Sequence, residues 1–573
     1  MSETLTITTE RVDDIPLLLS HLQRMDLPSL IEQHFHQHGN WQGLSAGWTA
    51  TIWLAHLLSQ ADHRLNQVQP WADKRLTTLR ACTRQPVLST DLTDDRLASL
   101  LHMLSDDDAW TSFERALTRT SLRVYDLRPS RVRLDTTTSS GYWTITDDGL
   151  FQFGHSKDHR PDLPQLKVML ATLDPLGMPV ATDILSGERA DDLLYLPAIR
   201  RVRSNLGQSG LLYVGDCKMA SLATRAGVAF HRDFYLCPLS AVHVPPNVLA
   251  GYVAAVVRGE HSLSPIKRAR GDGETEHIAD GFELVETLNA DHDTWKVTWS
   301  ERRLVVRSLQ QARTAERALR TRLAKAQQAL AALTARGRGK RPPPDLASTE
   351  QAAAALVAHY EVTGVLRVSC HEEVQERRVR AYRERPARVE HTSVLSVMSE
   401  VEPAALETAI AGLGWRVYVT NQGEEQLSLE QAVLAYREEY IVERSLGRLK
   451  GQPLSLRPMY LERDDQATGL VRLLSIGLRV LTLLEDVARR HLARQGESVA
   501  GLYAGQPTRR TTRPTTERLL AAFRELTLTI VEVPGRVVRH LTPLSPLHER
   551  LLALLDCSPE IYLRLASDSS QPP

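Results

Sequence analysis

SRVRLDTTTSS (130–140) and LLYVGD (211–216) decide how this chain is read. Each contains an apolar or β-branched run that meets an aspartate, Asp135 in the first and Asp216 in the second. Between them GLFQFG (149–154), LKVMLATLD (166–174) and MPVATDIL (178–185) carry β-branched alternation separated by Gly, Pro and Asp turns, which predicts further strands. ADDLLYLPAIRRVRSNL (190–206) has the look of a helix leading into LLYVGD. Strands followed by a helix and another strand predict an α/β layer with a partly parallel sheet.

On the N-terminal side, apolar residues recur at helical spacing in VDDIPLLLSHLQRMDL (12–27), TATIWLAHLLSQ (49–60) and DDRLASLLHML (94–104), so residues 11 to about 128 read as helical. On the C-terminal side more than 220 residues separate Asp216 from Glu443, far beyond an ordinary loop, and the simplest reading is an inserted domain. That section holds a strand pair at TWKVTWSERRLVVRS (294–308) and a long Ala/Arg/Leu-rich helix from 308 to about 336, ended by GRGKRPPP (337–344). WRVYVTN (415–421) reads as a buried strand, and LEQAVLAYREEYIVERSLGRLKG (429–451) as one long helix. The tail beyond about 465 reads as helical, broken by QPTRRTTRPTTER (506–518).

Length and composition bound what such a chain can be. At 573 residues it exceeds one compact domain, and 42% hydrophobic residues suffice for a sizeable core. Lys plus Arg equals Asp plus Glu at 69 each, so net charge argues neither for nor against nucleic acid and local charge has to decide. Five cysteines without Cys-x-x-Cys spacing fit a reducing compartment and offer no structural zinc site. The polar, acidic start is unlike a secretory signal and no run of about eighteen apolar residues is evident, so the expected location is the cytoplasm.

Phosphodiester cleavage by two metal ions needs sparse carboxylates that converge from distant parts of a chain. Asp135, Asp216 and Glu443 are the candidates. Singly, an Asp after a strand also serves as a turn or helix cap, and a mid-helix Glu as a solvated face residue. Tyr436, Glu443 and Lys450 are spaced seven and seven, so on one helix they share a face, where Lys450 and Tyr436 can hold phosphates. The same spacing also describes an amphipathic helix with a core Tyr and a solvated Lys. Residues 302–341 carry twelve Arg or Lys and one acid, Glu316, a local positive field suited to a phosphate backbone and led by Arg302 and Arg303. A solvated helix face reads equally from that run. Trp295 and Trp299 lie four apart on a strand and read either as base-stacking platforms or as core. Lys157, Arg160 and Arg510 are further candidate DNA contacts.

LDTTT (134–138), YVGDCKMAS (213–221) and the Tyr-x6-Glu-x6-Lys spacing resemble the three acidic motifs of DDE transposases from bacterial insertion sequences, in the subgroup named for a Tyr-Arg-Glu-Lys signature. GHSKDHRPDLPQLKVML (154–170) and PTTERLL (514–520) resemble further blocks of that subgroup, so the resemblance spans most of the chain. It implies an α/β ribonuclease H-like catalytic core with a large β-containing insertion, plus helical N-terminal and C-terminal regions. It implies that Asp135, Asp216 and Glu443 bind two Mg²⁺, with Mn²⁺ able to substitute, and that Tyr436 and Lys450 hold DNA-end phosphates. It also implies an insertion-domain Trp stacked on a flipped base, and a homodimer that pairs two transposon ends and joins them to target DNA. One position departs: the signature Arg falls on Glu439.

The expected organisation is an N-terminal helical unit (1–128), a first part of the catalytic core (129–240), an insertion with the basic helix (241–413), a second part of the core (414–500) and a helical C-terminal region (501–573). The expected activity is Mg²⁺-dependent cleavage and strand transfer at terminal inverted repeats. The alternatives are a DNA-binding descendant that has lost catalysis and a nuclease of the same fold that cuts without joining.

Overall fold

The protein is seen here as a computed structural model that describes residues 5–37, 39–270, 273–335, 342–381, 386–533 and 536–567. Its chain divides into two compact units. One comprises Met1–Cys237, Leu288–Trp299 and Ala435–Pro573, the other Pro238–Thr287 and Ser300–Leu434.

The first unit opens with a strand, β1 (Thr6–Arg11), and then the helices α1 (Ile15–Arg24), α2 (Leu27–His34), α3 (Ala46–Gln60), α4 (Leu65–Asp73), α5 (Leu76–Thr83), α6 (Asp94–Leu104) and α7 (Asp107–Val124). The helices follow the apolar spacing of the sequence. β1 does not, because TITTER is mostly exposed and takes its place from partners far away. One of them is α5, whose first-turn N–H groups on Thr77 and Thr78 donate to the buried Glu10 carboxylate at 2.9 and 2.8 Å.

The sheet of this unit is built from β2 (Arg131–Ser140), β3 (Gln165–Leu173), β4 (Met178–Ser186), β5 (Leu212–Val214) and β6 (Phe234–Pro238), in the order β4-β3-β2-β5-β6. β2, β3 and β4 run antiparallel, whereas β5 and β6 run parallel to β2. QLKVMLATL in β3 is buried along its whole length, as a strand covered on both faces must be. The parallel connections carry α8 (Tyr195–Leu206) and α9 (Leu222–Phe230). GLFQFG is not a strand; it contributes one isolated bridge, Gln152 to Gln165.

The second unit holds α10 (Pro246–Val257), β7 (Ser264–Ala269), β8 (Thr275–His292), β9 (Trp295–Ser308), α11 (Leu309–Leu333), α12 (Leu346–His359), β10 (Leu366–Val379), β11 (Arg388–Val401), α13 (Pro403–Ala411), β12 (Trp415–Thr420) and most of α14 (Leu429–Arg437). β12, β9, β8 and β7 lie side by side. The tip of the β8–β9 hairpin, Leu288–Trp299, belongs to the first unit, where Val297 and Trp299 pack on Ala226. α11 buries Leu319, Leu323, Ala326 and Leu330 in a cluster with α12, β10 and β11, an amphipathic stripe that leaves Arg313, Arg317 and Arg320 exposed. The basic residues 336–341 lie outside the described residues. WRVYVTN contains β12, which pairs antiparallel with β9 in this unit.

The chain returns to the first unit through α15 (Tyr440–Lys450), α16 (Asp464–Gln495), α17 (Thr516–Ala521), β13 (Thr527–Val533), β14 (Arg536–Leu541), α18 (Pro546–Leu554) and α19 (Glu560–Leu563). α16 is long and apolar enough to cross a membrane by length and composition, but 94% of that apolar window is buried inside the protein, so it serves as a core helix. The regions expected to be helical at both ends contain strands: β13 pairs with β14 and also with β1, Thr6 opposite Glu532 and Arg11 opposite Thr527. Pairing between sequence-distant strands leaves no local signal, which is why helical spacing nearby dominates the reading of both regions.

The expected single helix over 429–451 is two helices, α14 and α15, with a turn at Glu438–Glu439. In an unbroken helix the Ala435 carbonyl would accept from the Glu439 N–H. Here the buried Arg133 takes that carbonyl through Nη2 at 2.7 Å, and Glu439 N–H turns to the Tyr436 carbonyl at 3.1 Å. A side chain inserted into the ladder interrupts the helix. Arg133 is itself held by Asp174 at 2.8 Å, and with Arg131 it draws in Glu438 at 3.4 and 3.2 Å.

Candidate active site

β2 and β5 set the first two carboxylates. Their parallel register pairs Arg131 with Leu212 and Arg133 with Val214, and carrying it two residues on brings Asp135 level with Asp216, just past the end of β5. Asp135 Oδ1 accepts from its neighbour Thr136 N–H at 2.7 Å and from Lys157 Nζ at 3.2 Å. Burial pushes the Asp135 carboxyl above its ordinary range and Asp216 adds to that, against the opposing pull of Lys157 and Thr136. Asp216 Oδ1 accepts from the Lys218 N–H at 2.9 Å and from the Tyr195 hydroxyl at 2.7 Å. Burial and the adjoining Asp216 hold the Tyr195 hydroxyl far above the ordinary tyrosine range, so it stays a donor.

α15 packs against β2 and β3 and brings the third carboxylate. Glu443 lies one turn from Glu439, so both are on one stripe of the helix. Glu439 is pushed above the ordinary range by burial, and next by Asp135, by Glu443 and by Asp216. That repulsion locates all four acids in one electrostatic neighbourhood. The Tyr436 hydroxyl opposes it by hydrogen-bonding the Glu439 carboxylate. Tyr436 is buried, and the turn before α15 takes it off the straight seven-residue stripe that a single helix predicts.

Lys450, at the end of α15, pairs with Asp158 and reaches Thr137 Oγ1 at 3.3 Å, with Arg457 on the same carboxylate at 2.8 Å. Lys157 bridges Asp135 and the Thr136 carbonyl, the latter at 2.6 Å. Two residues that sequence reasoning misses complete the surroundings. Asp191 accepts from Lys167 at 2.6 Å and from Thr136 Oγ1 at 3.2 Å. Burial by itself would raise Asp191, but Lys167, Lys157 and Thr136 together hold it below the ordinary range. Tyr195 is the other. Both come from ADDLLY, whose only signal in the sequence is that of a helix start.

Most of the remaining predicted DNA-binding residues are committed to other partners. Arg302 is buried: Nε and Nη2 grip Glu283 at 2.8 and 2.7 Å, and Nη1 reaches the carbonyls of Gln422 and Leu427. Arg303 pairs with Glu286 at 2.7 Å and reaches the Tyr252 hydroxyl. Both arginines are therefore internal braces of the second unit rather than an open phosphate track. Trp295 and Trp299 separate: Trp299 is 8% exposed and donates to the Tyr235 hydroxyl at 2.8 Å, whereas Trp295 is 63% exposed. They point the same way, but Trp295 is the first residue of β9 and projects beyond the packed strip. Arg160 is turned to Asp162 at 2.7 Å, and Arg510 is tied to Ser498 at 2.6 and 3.0 Å.

The donor set around Asp135 is made of carboxylate oxygens, which suits a hard divalent cation such as magnesium, and magnesium keeps several waters instead of a closed protein cage. Among the described residues no group of three or more His, Cys, Asp or Glu side chains is already arranged to hold a metal ion. The fit therefore rests on donor chemistry and on a site where burial first, and neighbouring acids after it, hold Asp135 and Glu439 above the ordinary range.

No family model matches the chain, and no curated protein matches it. Among solved structures, a piggyBac transposase synaptic complex with hairpin DNA is similar over 89% of this chain and 79% of that one, with 8% identity and a TM-score of 0.36. That is a distant likeness to a transposase.

Proposed function

We propose that this chain is a DNA transposase of the insertion-sequence type, which binds terminal inverted repeats and catalyses cleavage and strand transfer. The first unit is its ribonuclease H-like core, with strand order β4-β3-β2-β5-β6 and the acids at the β2 and β5 positions in support. What supports the reading is the β2–β5 register that sets Asp135 level with Asp216, together with the charge that Asp135, Glu443 and Asp216 each exert on Glu439.

Asp135, Asp216 and Glu443 would hold the cations. Two Mg²⁺ held there would supply Lewis acidity for the attacking and leaving oxygens. The chain's own residues do the rest. Tyr195 fixes the Asp216 carboxylate by its hydroxyl, and Lys157 fixes Asp135, so each presents a defined face. Lys450 and Thr137 stand at the edge of the carboxylates, where they hold a phosphate of the DNA end once Lys450 exchanges Asp158 for it.

The test uses the full-length protein with duplexes that carry the repeats flanking its gene. In Mg²⁺ the expected products are a free 3′-hydroxyl at the repeat end and a joined target strand, and EDTA abolishes both. Cleavage without joining would make it a nuclease, and binding without cleavage a DNA-binding descendant. Failure to retain repeat-bearing DNA at all would overturn the reading.

A further inference from the structure

The face of α15 turned away from Glu443 borders a cavity of about 280 Å³ in the first unit. Tyr440, Arg444 and Arg448 of α15 line it on one side, and Arg489 of α16 and Arg513 on the other, with Glu485 buried among them. Of its charged lining residues, four are arginines and two are carboxylates, Glu485 and Asp486. Asp486 is committed to Arg490 at 2.8 Å. Glu485 alone is shared by three guanidinium groups: Arg444 Nη2 at 2.7 Å, Arg448 Nη2 at 2.6 Å and Arg489 Nη1 at 2.7 Å. Arg448 spends its Nε on Glu517, and Arg489 its Nε on the Pro514 carbonyl, so donors of Arg444 and Arg489 remain for another acceptor. Arg513 reaches the same cavity with an exposed side chain, and among the described residues no acidic partner is paired with it.

Two carboxylates, Glu485 and Glu517, cannot neutralise four guanidinium groups. The imbalance is visible on Arg489, whose guanidinium is held below its ordinary range by burial, and by Arg444 and Arg513 against the pull of Glu485. A cavity of this size, with fork-shaped donors converging on it and a surplus of positive charge, matches a tetrahedral oxyanion.

We propose that this cavity is a phosphate-binding site, taking a phosphate group between Arg489 and Arg513 on one wall and Arg444 on the other. The phosphate comes from a polynucleotide backbone or from free phosphate, and both present the same oxygens to the same forks. Arg444 directly follows Glu443, so a phosphate seated here steadies α15 from behind while its other face holds the carboxylates. In the polynucleotide case the site rests on the reading of the chain as a DNA enzyme; its binding chemistry does not need the cations.

The experiment compares full-length wild type with Arg489→Ala/Arg513→Ala, and with Arg513→Glu alone, since Arg513 is exposed and its replacement leaves the fold intact. All measurements are made in EDTA, so failure of the cleavage reading cannot mimic failure here. Fluorescence anisotropy with a labelled duplex is expected to show about tenfold weaker binding for the double variant. Its plot of log affinity against log salt should become shallower by about 0.9, the slope that one neutralised phosphate contributes. In the second arm, inorganic phosphate raises the melting temperature of wild type and not of either variant. A change in the duplex arm assigns the phosphate to a polynucleotide, and a change in the second arm alone assigns it to free phosphate. Variants that match wild type in both arms overturn the site.

Discussion

In β9, Arg302 and Arg303 each meet a carboxylate of β8, Glu283 and Glu286, whereas Glu439, just before α15, is buried and repelled by Asp135, Glu443 and Asp216. Both stretches are dense in charge along the sequence, yet the fold handles them oppositely. The β9 arginines are spent on internal partners and brace a strand that β12 also pairs with. Asp135 and Glu439 are buried beside further acids with Lys157 as a partial counter-charge, and burial first, the neighbouring acids next, hold both above the ordinary range. Charge density in a sequence therefore does not mark a site. What marks it is charge that the fold gathers and leaves unbalanced.

That contrast can be broken most directly at the acids. Asp135→Ala, Asp216→Ala and Glu443→Ala should each reduce Mg²⁺-dependent cleavage by at least about a hundredfold, with DNA binding retained in a gel-shift assay. Near wild-type cutting by any of the three removes that residue from the site. The next effects are on stability. Trp299→Ala should cost about 3–5 kcal/mol in denaturant unfolding because it empties a packed position and removes the hydrogen bond to the Tyr235 hydroxyl. Trp295→Ala should change stability by less than about 0.5 kcal/mol, since its ring is largely in water. Arg302→Ala should cost about 3 kcal/mol by stripping Glu283 and two carbonyls of their partner. A drop in DNA affinity without that destabilisation would return Arg302 to the DNA surface.

The smallest effect sharpens the comparison from the acidic side. Asp135 and Glu439 hold their protons more tightly in the folded protein than in the unfolded chain. Stability therefore falls as pH rises from the ordinary carboxylate range through their raised values, and is greater below that window. Glu439→Gln should remove part of this decline and raise the melting temperature at neutral pH by about one to two degrees. Added Mg²⁺ should stabilise wild type at neutral pH, and Asp135→Asn much less. A Glu439→Gln protein that melts lower than wild type at neutral pH would show that Glu439 is held by a favourable partner instead.

The strand that carries Asp135 and the one that runs up to Asp216 were legible because an apolar run meeting an Asp is a local pattern, and so was the helix that carries Glu443, although β2 continues past Asp135 to Ser140. Three things were not. The turn at Glu438–Glu439 depends on Arg133 reaching across from β2 to the Ala435 carbonyl, an interaction no window of sequence contains. The pairing of Arg302 with Glu283 was hidden because a basic run reads the same whether its partners are phosphates or neighbouring carboxylates. Glu439 was legible as a departure from the signature, but its company became visible only once β2, β5 and α15 were brought together.

The pairing of β1 with β13 has a consequence for how the molecule is made. Thr6–Arg11 leaves the ribosome long before its hydrogen-bonding partners on Thr527–Glu532, about five hundred residues later in the chain. The second unit is translated in between, so on a nascent chain it can assemble while the strand at the front still waits. The first unit closes only once Thr527–Glu532 has emerged, which makes this strand pair the clasp that completes it and makes a ribosome-stalled product lacking β13 a sensitive substrate for proteolysis.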